Sequence, residues 1–305
     1  MRRLDDWALV PAAEMADLYR RAAARWRTNL DWDTADTWAA LEQARGNGRV
    51  PGFVARRSTG AVAGWTYYLV QGNELQIGAL DATSPGITAA LIDAVLASPA
   101  ALVAARTLFF AYTAAPAIAD VLAERGFDLN TQHYLARPLA PAAPAEALRA
   151  WCGDDLEPAA TVLAAAYGGP DPRRAFVPTG AVADWTRYVQ QLTTTTGCGR
   201  FAPSLSRMSV APSGTLDGLA LVTAVSPTSA HLAQLAVHPD AAGAGVGARL
   251  LADVTVAAAA AGYAQLSLLV GEDNRRAWRI YEAAGFTRHA TFVLATRARP
   301  WASAA

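Results

Sequence analysis

Three alternate glycines mark the stretch of this chain best suited to chemistry. They stand in Leu235-Ala236-Val237-His238-Pro239-Asp240-Ala241-Ala242-Gly243-Ala244-Gly245-Val246-Gly247-Ala248-Arg249-Leu250-Leu251. The pattern predicts a strand ending at Val237, a turn at Pro239 and a helix opening on the glycines. Glycine permits positive φ and lets bare backbone amides approach a ligand. The first helical turn adds N–H groups without intrahelical partners and the positive end of the helix dipole. Such a run cradles an anion and suits a pyrophosphate. A P-loop would need Gly-Lys-Ser/Thr, and the chain contains no lysine. Gly243-x-Gly245-x-x-Ala248 also satisfies the dinucleotide fingerprint, with Glu272 after the next strand. Only 33 residues follow Glu272, however, too few to complete a doubly wound sheet.

Further along, Asn274-Arg275-Arg276-Ala277-Trp278-Arg279-Ile280-Tyr281-Glu282-Ala283-Ala284-Gly285-Phe286 reads as a short helix closed by glycine. This segment, following Val237-x-Pro239 and the glycines with one strand between, resembles the paired acyl-CoA-binding motifs of the GNAT acetyltransferase superfamily. The resemblance covers Leu232 to Phe286 well and the rest of the second half loosely. It implies that the backbone of Leu235, Ala236 and Val237 pairs with a pantetheine arm and polarises the thioester carbonyl. It implies that amides of the run Ala242, Gly243, Ala244, Gly245, Val246, Gly247 and Ala248 hold the pyrophosphate of acetyl-CoA. Asn274 would hydrogen-bond the cofactor arm, and Tyr281 would protonate the leaving thiolate. A phenol with a pKa near ~10 matches a thiolate of similar basicity. Relatives usually carry Arg or Gln where Ala242 stands, so Arg249, Arg275 and Arg276 are the cations available to compensate.

No general base is legible. The strand entering Leu235 reads His231-Leu232-Ala233-Gln234, without the Glu that many relatives place there. His231 is expected at a strand end facing water and His238 in the turn, which leaves a water relay to carry the proton. Tyr167-Gly168-Gly169-Pro170-Asp171-Pro172-Arg173-Arg174 falls where the superfamily shapes its acceptor pocket. Asp171, Arg173 and Trp185 are the acceptor-side candidates, although a solvated loop with a packed aromatic explains them better. Cys198 reads as an ordinary free thiol. The four histidines and two cysteines show no ligand spacing, so no metal is expected.

The elements that must position these residues come in two similar sets. Helical patterns cover Glu14–Trp26 and Asp33–Ala44, then strands Phe53–Arg57, Ala61–Leu69 and Leu75–Leu80. A helix Gly86–Leu96, a strand Thr107–Tyr112, a helix Ala117–Glu124 and a last strand complete the first set. The second set has helices Glu157–Ala166 and Val182–Leu192, then strands Arg207–Val210, Leu219–Val225 and Leu232–Val237. Helix Val246–Ala261, strand Gln265–Val270, helix Arg275–Ala284 and strand Ala290–Thr296 follow. Gly86–Val95 aligns with Gly245–Val254, and the same offset of 159 carries Gly126-Phe127 onto Gly285-Phe286. This is an internal duplication. By that offset Asn274 falls on Ala115 and Tyr281 on Leu122, and the first copy lacks the earlier glycines. The first copy is therefore read as degenerate, keeping the fold without the chemistry.

The expected fold class is α/β (α+β), as two tandem GNAT-like domains, each a mixed, mostly antiparallel twisted sheet flanked by helices. Residues 1–139 would form the degenerate domain, 140–150 a linker rich in proline and alanine, and 151–305 the acetyl-CoA-binding domain. At 305 residues the chain is long enough for two domains. Its 26 basic residues, all arginine, balance 26 acidic ones, which gives no pull toward nucleic acid or a membrane surface. Two cysteines and an acidic N-terminus without an apolar run suggest a cytoplasmic protein, monomeric or homodimeric. The expected activity is N-acetyl or small-acyl transfer from acyl-CoA to the amine of a small molecule. Two other readings stay open at this point: a non-catalytic CoA-binding sensor or scaffold, and a NAD(P)-binding oxidoreductase module.

Overall fold

The computed structural model describes residues 3–111, 115–141 and 148–299. Its elements run β1 (Arg3–Asp6), α1 (Ala12–Leu30), α2 (Ala35–Gly46), β2 (Gly52–Arg56), β3 (Val62–Gln71), β4 (Glu74–Ala82), α3 (Pro85–Leu96), α4 (Pro99–Val103), β5 (Arg106–Ala111), α5 (Ile118–Glu124) and β6 (Asp128–Pro138). They continue with β7 (Arg149–Ala150), α6 (Leu156–Tyr167), α7 (Val182–Thr194), β8 (Arg200–Phe201), β9 (Arg207–Val210), β10 (Leu216–Ala224), β11 (Ser229–Val237), α8 (Val246–Ala260), β12 (Gln265–Gly271), α9 (Arg275–Ala283) and β13 (Thr287–Ala298). The chain forms two compact units.

The first unit orders its strands β1-β2-β3-β4-β5-β13, all antiparallel except the β4–β5 pair. Apolar residues alternate along the strands, so both faces need a cover. One face buries Leu75, Ile77 and Phe109 beneath Leu91, Ile92 and Leu122 of α3 and α5. The other buries Trp65 and Tyr67 beneath Tyr19 of α1 and Trp38 of α2.

The second unit repeats the plan in the order β6-β12-β11-β10-β9-β7, with β8 also on β10. Of its pairs with recorded register, β11–β12 is parallel and those joining β7, β8, β9, β10 and β11 are antiparallel. Leu250, Leu251 and Val254 of α8 and Tyr281 of α9 pack on one face. Leu163 of α6, with Trp185 and Val189 of α7, packs on the other. Each unit is thus a mixed, mostly antiparallel sheet between two helical layers.

The units differ from the contiguous halves expected from sequence. Arg25–Asp36 and residues 133–139 cluster with the second unit, and Phe292 onward clusters with the first. The cause is an exchange of final strands. Residues Val293–Ala298 of β13 pair with β5, whereas β6 lies beside β12. Of the expected linker, Arg149–Ala150 pair with β9, and residues 142–147 lie outside the described residues.

The duplication extends to one close approach of helix on strand. A Cβ on Gly64 would meet Ile87 and Leu91 at 2.7 and 3.0 Å, and one on Gly218 would meet Val246 and Leu250 at 2.8 and 3.0 Å. Ile87 and Leu91 are the partners of Val246 and Leu250 under the offset of 159. In both units a helix approaches too closely at this point for any side chain.

Candidate active site

The glycine run lies where β11 leaves its neighbour. β11 pairs with β12 only over Ser229–Leu232 and Gln265–Leu268, although both strands continue. A bulge drives them apart. Opposite β10 the register steps from Val222↔Leu232 to Leu221↔Gln234, so Ala233 has no partner residue. A bulge bends and twists its strand and is common beside active sites. Beyond it, Leu235, Ala236 and Val237 pair with β10 along one edge and with no strand along the other, among the described residues. The sequence predicts the strand, but nothing local in it announces the bulge.

His238 closes the strand. Its amide donates to Asp217 O at 2.8 Å, and its Nδ1 accepts from the amide of Asp240 at 3.3 Å. A short turn over Pro239–Ala241 follows, and then the glycines. Gly243 and Gly245 hold φ of +85° and +77°, and a Cβ on either would meet nothing within 4 Å. The first intrahelical bond of α8 runs from Arg249 N to Gly245 O at 3.0 Å. The amides of Val246, Gly247 and Ala248 therefore precede the helical ladder, with Gly243 and Gly245 just before them. Not every amide in the run is free: Ala242 donates to Pro239 O and Ala244 to Ala241 O. Five backbone donors beside an open surface, at the positive end of a 15-residue helix, fit a pyrophosphate. The open edge of Leu235–Val237 fits an extended arm carrying amide groups. Together they match the shape and polarity of an acyl-CoA.

Asn274 caps α9, its Oδ1 accepting from Ala277 N at 3.1 Å. The cap uses the side-chain oxygen and leaves the carboxamide N–H groups available. Further along the same helix, Tyr281 is fixed by the close of α9, where its carbonyl accepts from Phe286 N at 3.0 Å. Its ring is 8 % exposed. Burial, with a smaller contribution from Tyr167, raises its pKa well above the ordinary phenol value, so it stays protonated. No described residue hydrogen-bonds its hydroxyl.

On the face of β11 opposite α8, Gln234 is buried between two phenols. Tyr167 donates to Gln234 Oε1 at 2.8 Å, and Gln234 Nε2 donates to Tyr188 Oη at 2.6 Å. Nothing local in the sequence announces this cluster, because Tyr167 and Gln234 lie 67 positions apart. Trp185 is a packing residue, 1 % exposed and stacked beneath Tyr167 at 4.9 Å. Asp171 accepts from the Arg173 side chain and amide within its own loop.

His231 is not the water-facing strand end expected. It is 5 % exposed, edge-on to Trp32 at 5.2 Å and stacked on Tyr134 at 5.9 Å, with Nδ1 3.0 Å from Ser267 Oγ. Burial lowers its pKa to about 3. Hence it cannot serve as a base that cycles near neutral pH. Burial lifts the Cys198 thiol to about 11, which suits an inert thiol. Among the described residues no group of three or more His, Cys, Asp or Glu side chains could hold a metal ion. No described helix is long and apolar enough to cross a membrane.

With this geometry in place, residues 185–286 match the acetyltransferase (GNAT) family. The second unit carries a GNAT domain. A GCN5-related N-acetyltransferase from Sphaerobacter thermophilus superposes with a TM-score of 0.67 at 18 % identity, covering 98 % of this chain and 96 % of that one. A tandem GNAT protein from the clavulanic acid biosynthesis pathway follows at 0.55 and 20 %, covering 82 % of each chain. A GNAT-family acetyltransferase from Colwellia psychrerythraea gives 0.54 and 14 %, covering 97 % of this chain and all of its own. At these identities the likeness is one of fold, and it extends the GNAT fold over both units. No curated protein matches the sequence.

Among the described residues, the first unit differs from the second at the positions that correspond to this site. In the first unit β4 also bulges, at Gly78, and parts from β5 beyond Ile77. Two residues, 83–84, join β4 to α3, whereas eight, 238–245, join β11 to α8. Pro85 opens α3 without an N–H. Ala115 and Leu122, which correspond to Asn274 and Tyr281, are both buried in the apolar core.

Proposed function

We propose that the second unit transfers an acetyl or small acyl group from acyl-CoA to the amine of a small molecule, and that the first unit binds no acyl-CoA. The observation that carries this reading is the open edge of Leu235–Val237 leading directly into the free amides at the start of α8. That continuity suits one ligand with an amide-bearing arm and a pyrophosphate. Gly243, Gly245, Val246, Gly247 and Ala248 would hold the phosphates, and the backbone of Leu235–Val237 would orient the arm. When bound, acyl-CoA supplies an activated thioester.

This chain's residues then have distinct tasks. Backbone N–H groups at the bulged end of β11 stabilise negative charge on the carbonyl oxygen, where donors fixed in advance act most strongly. Gln234, Tyr167 and Tyr188 face the incoming amine from the α6–α7 side. Tyr281, neutral because it is buried, donates a hydrogen bond to the departing sulfur. Its raised pKa makes full proton loss costly, so it stabilises the thiolate more than it acidifies it.

Thermal shift with acetyl-CoA, CoA, NAD and ATP tests the ligand. Stabilisation by the two CoA species alone is expected, and a shift with NAD alone would sink the proposal. Tyr281→Phe should lower kcat roughly 10²-fold with acetyl-CoA binding unchanged. Saturable acetyl-CoA binding with no turnover on any amine would instead identify a CoA-binding sensor.

A further inference from the structure

We propose that the acceptor is a weakly basic aromatic amine, one that arrives uncharged at neutral pH. The inference rests on the acyl-transfer reading and deepens it, because it concerns the side of β11 from which the amine must approach.

Two features of that side set the chemistry. The first is its surface. Tyr167 stacks on Trp185 yet remains 43 % exposed, and Phe176 leans on Tyr188 at 5.0 Å and remains 41 % exposed. Tyr167 and Tyr188, the ring on which Phe176 leans, both hydrogen-bond Gln234, the residue immediately before Leu235. A flat apolar body can stack there while its nitrogen reaches the phenol and carboxamide groups.

The second is charge. On α6, α7, their joining loop and β10, the ionisable groups nearest Gln234 are committed to other partners or lie further along the strand. On α6, Glu157 accepts from Thr186. On α7, Asp184 accepts from Thr179 and Arg187. In the joining loop Asp171 pairs with Arg173, and Arg174 donates to the carbonyls of Tyr167, Gly169 and Val177. On β10, Asp217 lies four residues from Leu221, the partner of Gln234, which is roughly 13 Å along a strand. Beyond β12, Glu272 lies 3.8 Å from His133. Burial keeps Tyr167 and Tyr281 protonated. Among the described residues on these elements no carboxylate lies beside Gln234 to hold an ammonium ion or to take its proton, and Gln234 cannot titrate. A strongly basic amine would have to leave its proton in solvent before each turnover. An arylamine, whose conjugate acid titrates in the carboxylate range of about 4–5, needs no such step. Its nitrogen forms the C–N bond as the C–S bond breaks, and the proton it loses ends on the thiolate. Amide and thiol are the only products.

The test measures kcat/KM with acetyl-CoA for an arylamine, a phenylalkylamine of equal ring size and a linear polyamine, from about pH 6 to about pH 9. The arylamine should be preferred at pH 7 by about tenfold or more, with a flat profile. The phenylalkylamine rate should rise with its free-base fraction. Phe176→Ala should raise KM for the arylamine about tenfold while changing kcat little. Turnover of the polyamine at a comparable rate would overturn the proposal. So would a pH limb shared by all acceptors regardless of their own basicity, since that limb would report a base on the enzyme. Quenching of tryptophan fluorescence by the arylamide product, in CoA-saturated protein, separates the two levels. Product binding without transfer to any amine supports the acceptor class and overturns the transfer reading. Transfer to other amines without arylamide binding overturns the acceptor class alone.

Discussion

His231 sits between Trp32 and Tyr134, where an imidazolium would lose its hydration and find no counter-ion, and its pKa falls to about 3. Unfolded, the same ring titrates near 6.5, so between these values the unfolded state binds a proton that the folded state refuses. Stability is therefore full above about pH 6.5 and declines as pH falls, by about 3 kcal/mol at pH 4. Urea unfolding at a series of pH values should show this slope, and His231→Gln should remove it. An unchanged slope in the variant would assign the acid limb to other groups. Tyr281 obeys the same physics in the opposite sense, since burial favours a neutral phenol by raising its pKa. The type and spacing of Tyr281 and Asn274 marked them in the sequence. The capping by Asn274 is equally local, because it reaches only to Ala277 N, whereas the protonation of Tyr281 depends on burial by neighbours far along the chain and was not legible. Gln234 shows the limit best: alone it reads as a missing carboxylate, and only with Tyr167 and Tyr188 in place does it become the centre of a hydrogen-bonded cluster.

At the scale of elements, the start of α8 was legible because it is written in local backbone demands. Glycine at positive φ, followed by an amphipathic run, dictates a helix N-terminus without help from the rest of the fold. The parting of β11 from β12 was not legible, because the bulge at Ala233 exists only in register with β10. The two effects can be separated experimentally. At Gly245 a Cβ would meet no atom within 4 Å, so Gly245→Ala strains only the backbone, at φ +77°. It should destabilise the protein by about 1–2 kcal/mol. If the adjoining amides hold phosphate, it should also weaken acetyl-CoA binding while sparing acetyl-pantetheine, which lacks the pyrophosphate. Equal losses for both ligands, read by isothermal titration, would place the phosphates elsewhere. Gly218→Ala works by another route: its Cβ would press on Val246 and Leu250 and displace the whole of α8.

For the whole molecule, the offset of 159 showed a duplicated chain, but duplication says nothing about which strand finishes which sheet. Strand pairing is non-local, and a Pro-Ala stretch between two repeats reads as a boundary whether or not the flanking strand crosses it. Here β6 lies beside β12 and places Leu135 in the core of the second unit, while β13 pairs with β5 of the first. A fragment of residues 140–305 would thus keep every acyl-CoA motif yet leave β12 without its neighbour and the apolar core without Leu135. An unpaired edge beside exposed apolar surface favours association of chains over folding. Expressed alone, 140–305 should be poorly soluble or melt without cooperativity. Supplying residues 1–139 as a separate chain should restore a cooperative transition and acetyl-CoA binding, because the missing strand can be provided in trans. Circular dichroism melts and titration of the two fragments, alone and mixed, check this. If 140–305 alone melted cooperatively and bound acetyl-CoA as tightly as the full chain, the exchanged strand would be dispensable. The GNAT domain would then be the contiguous unit that its motifs suggest.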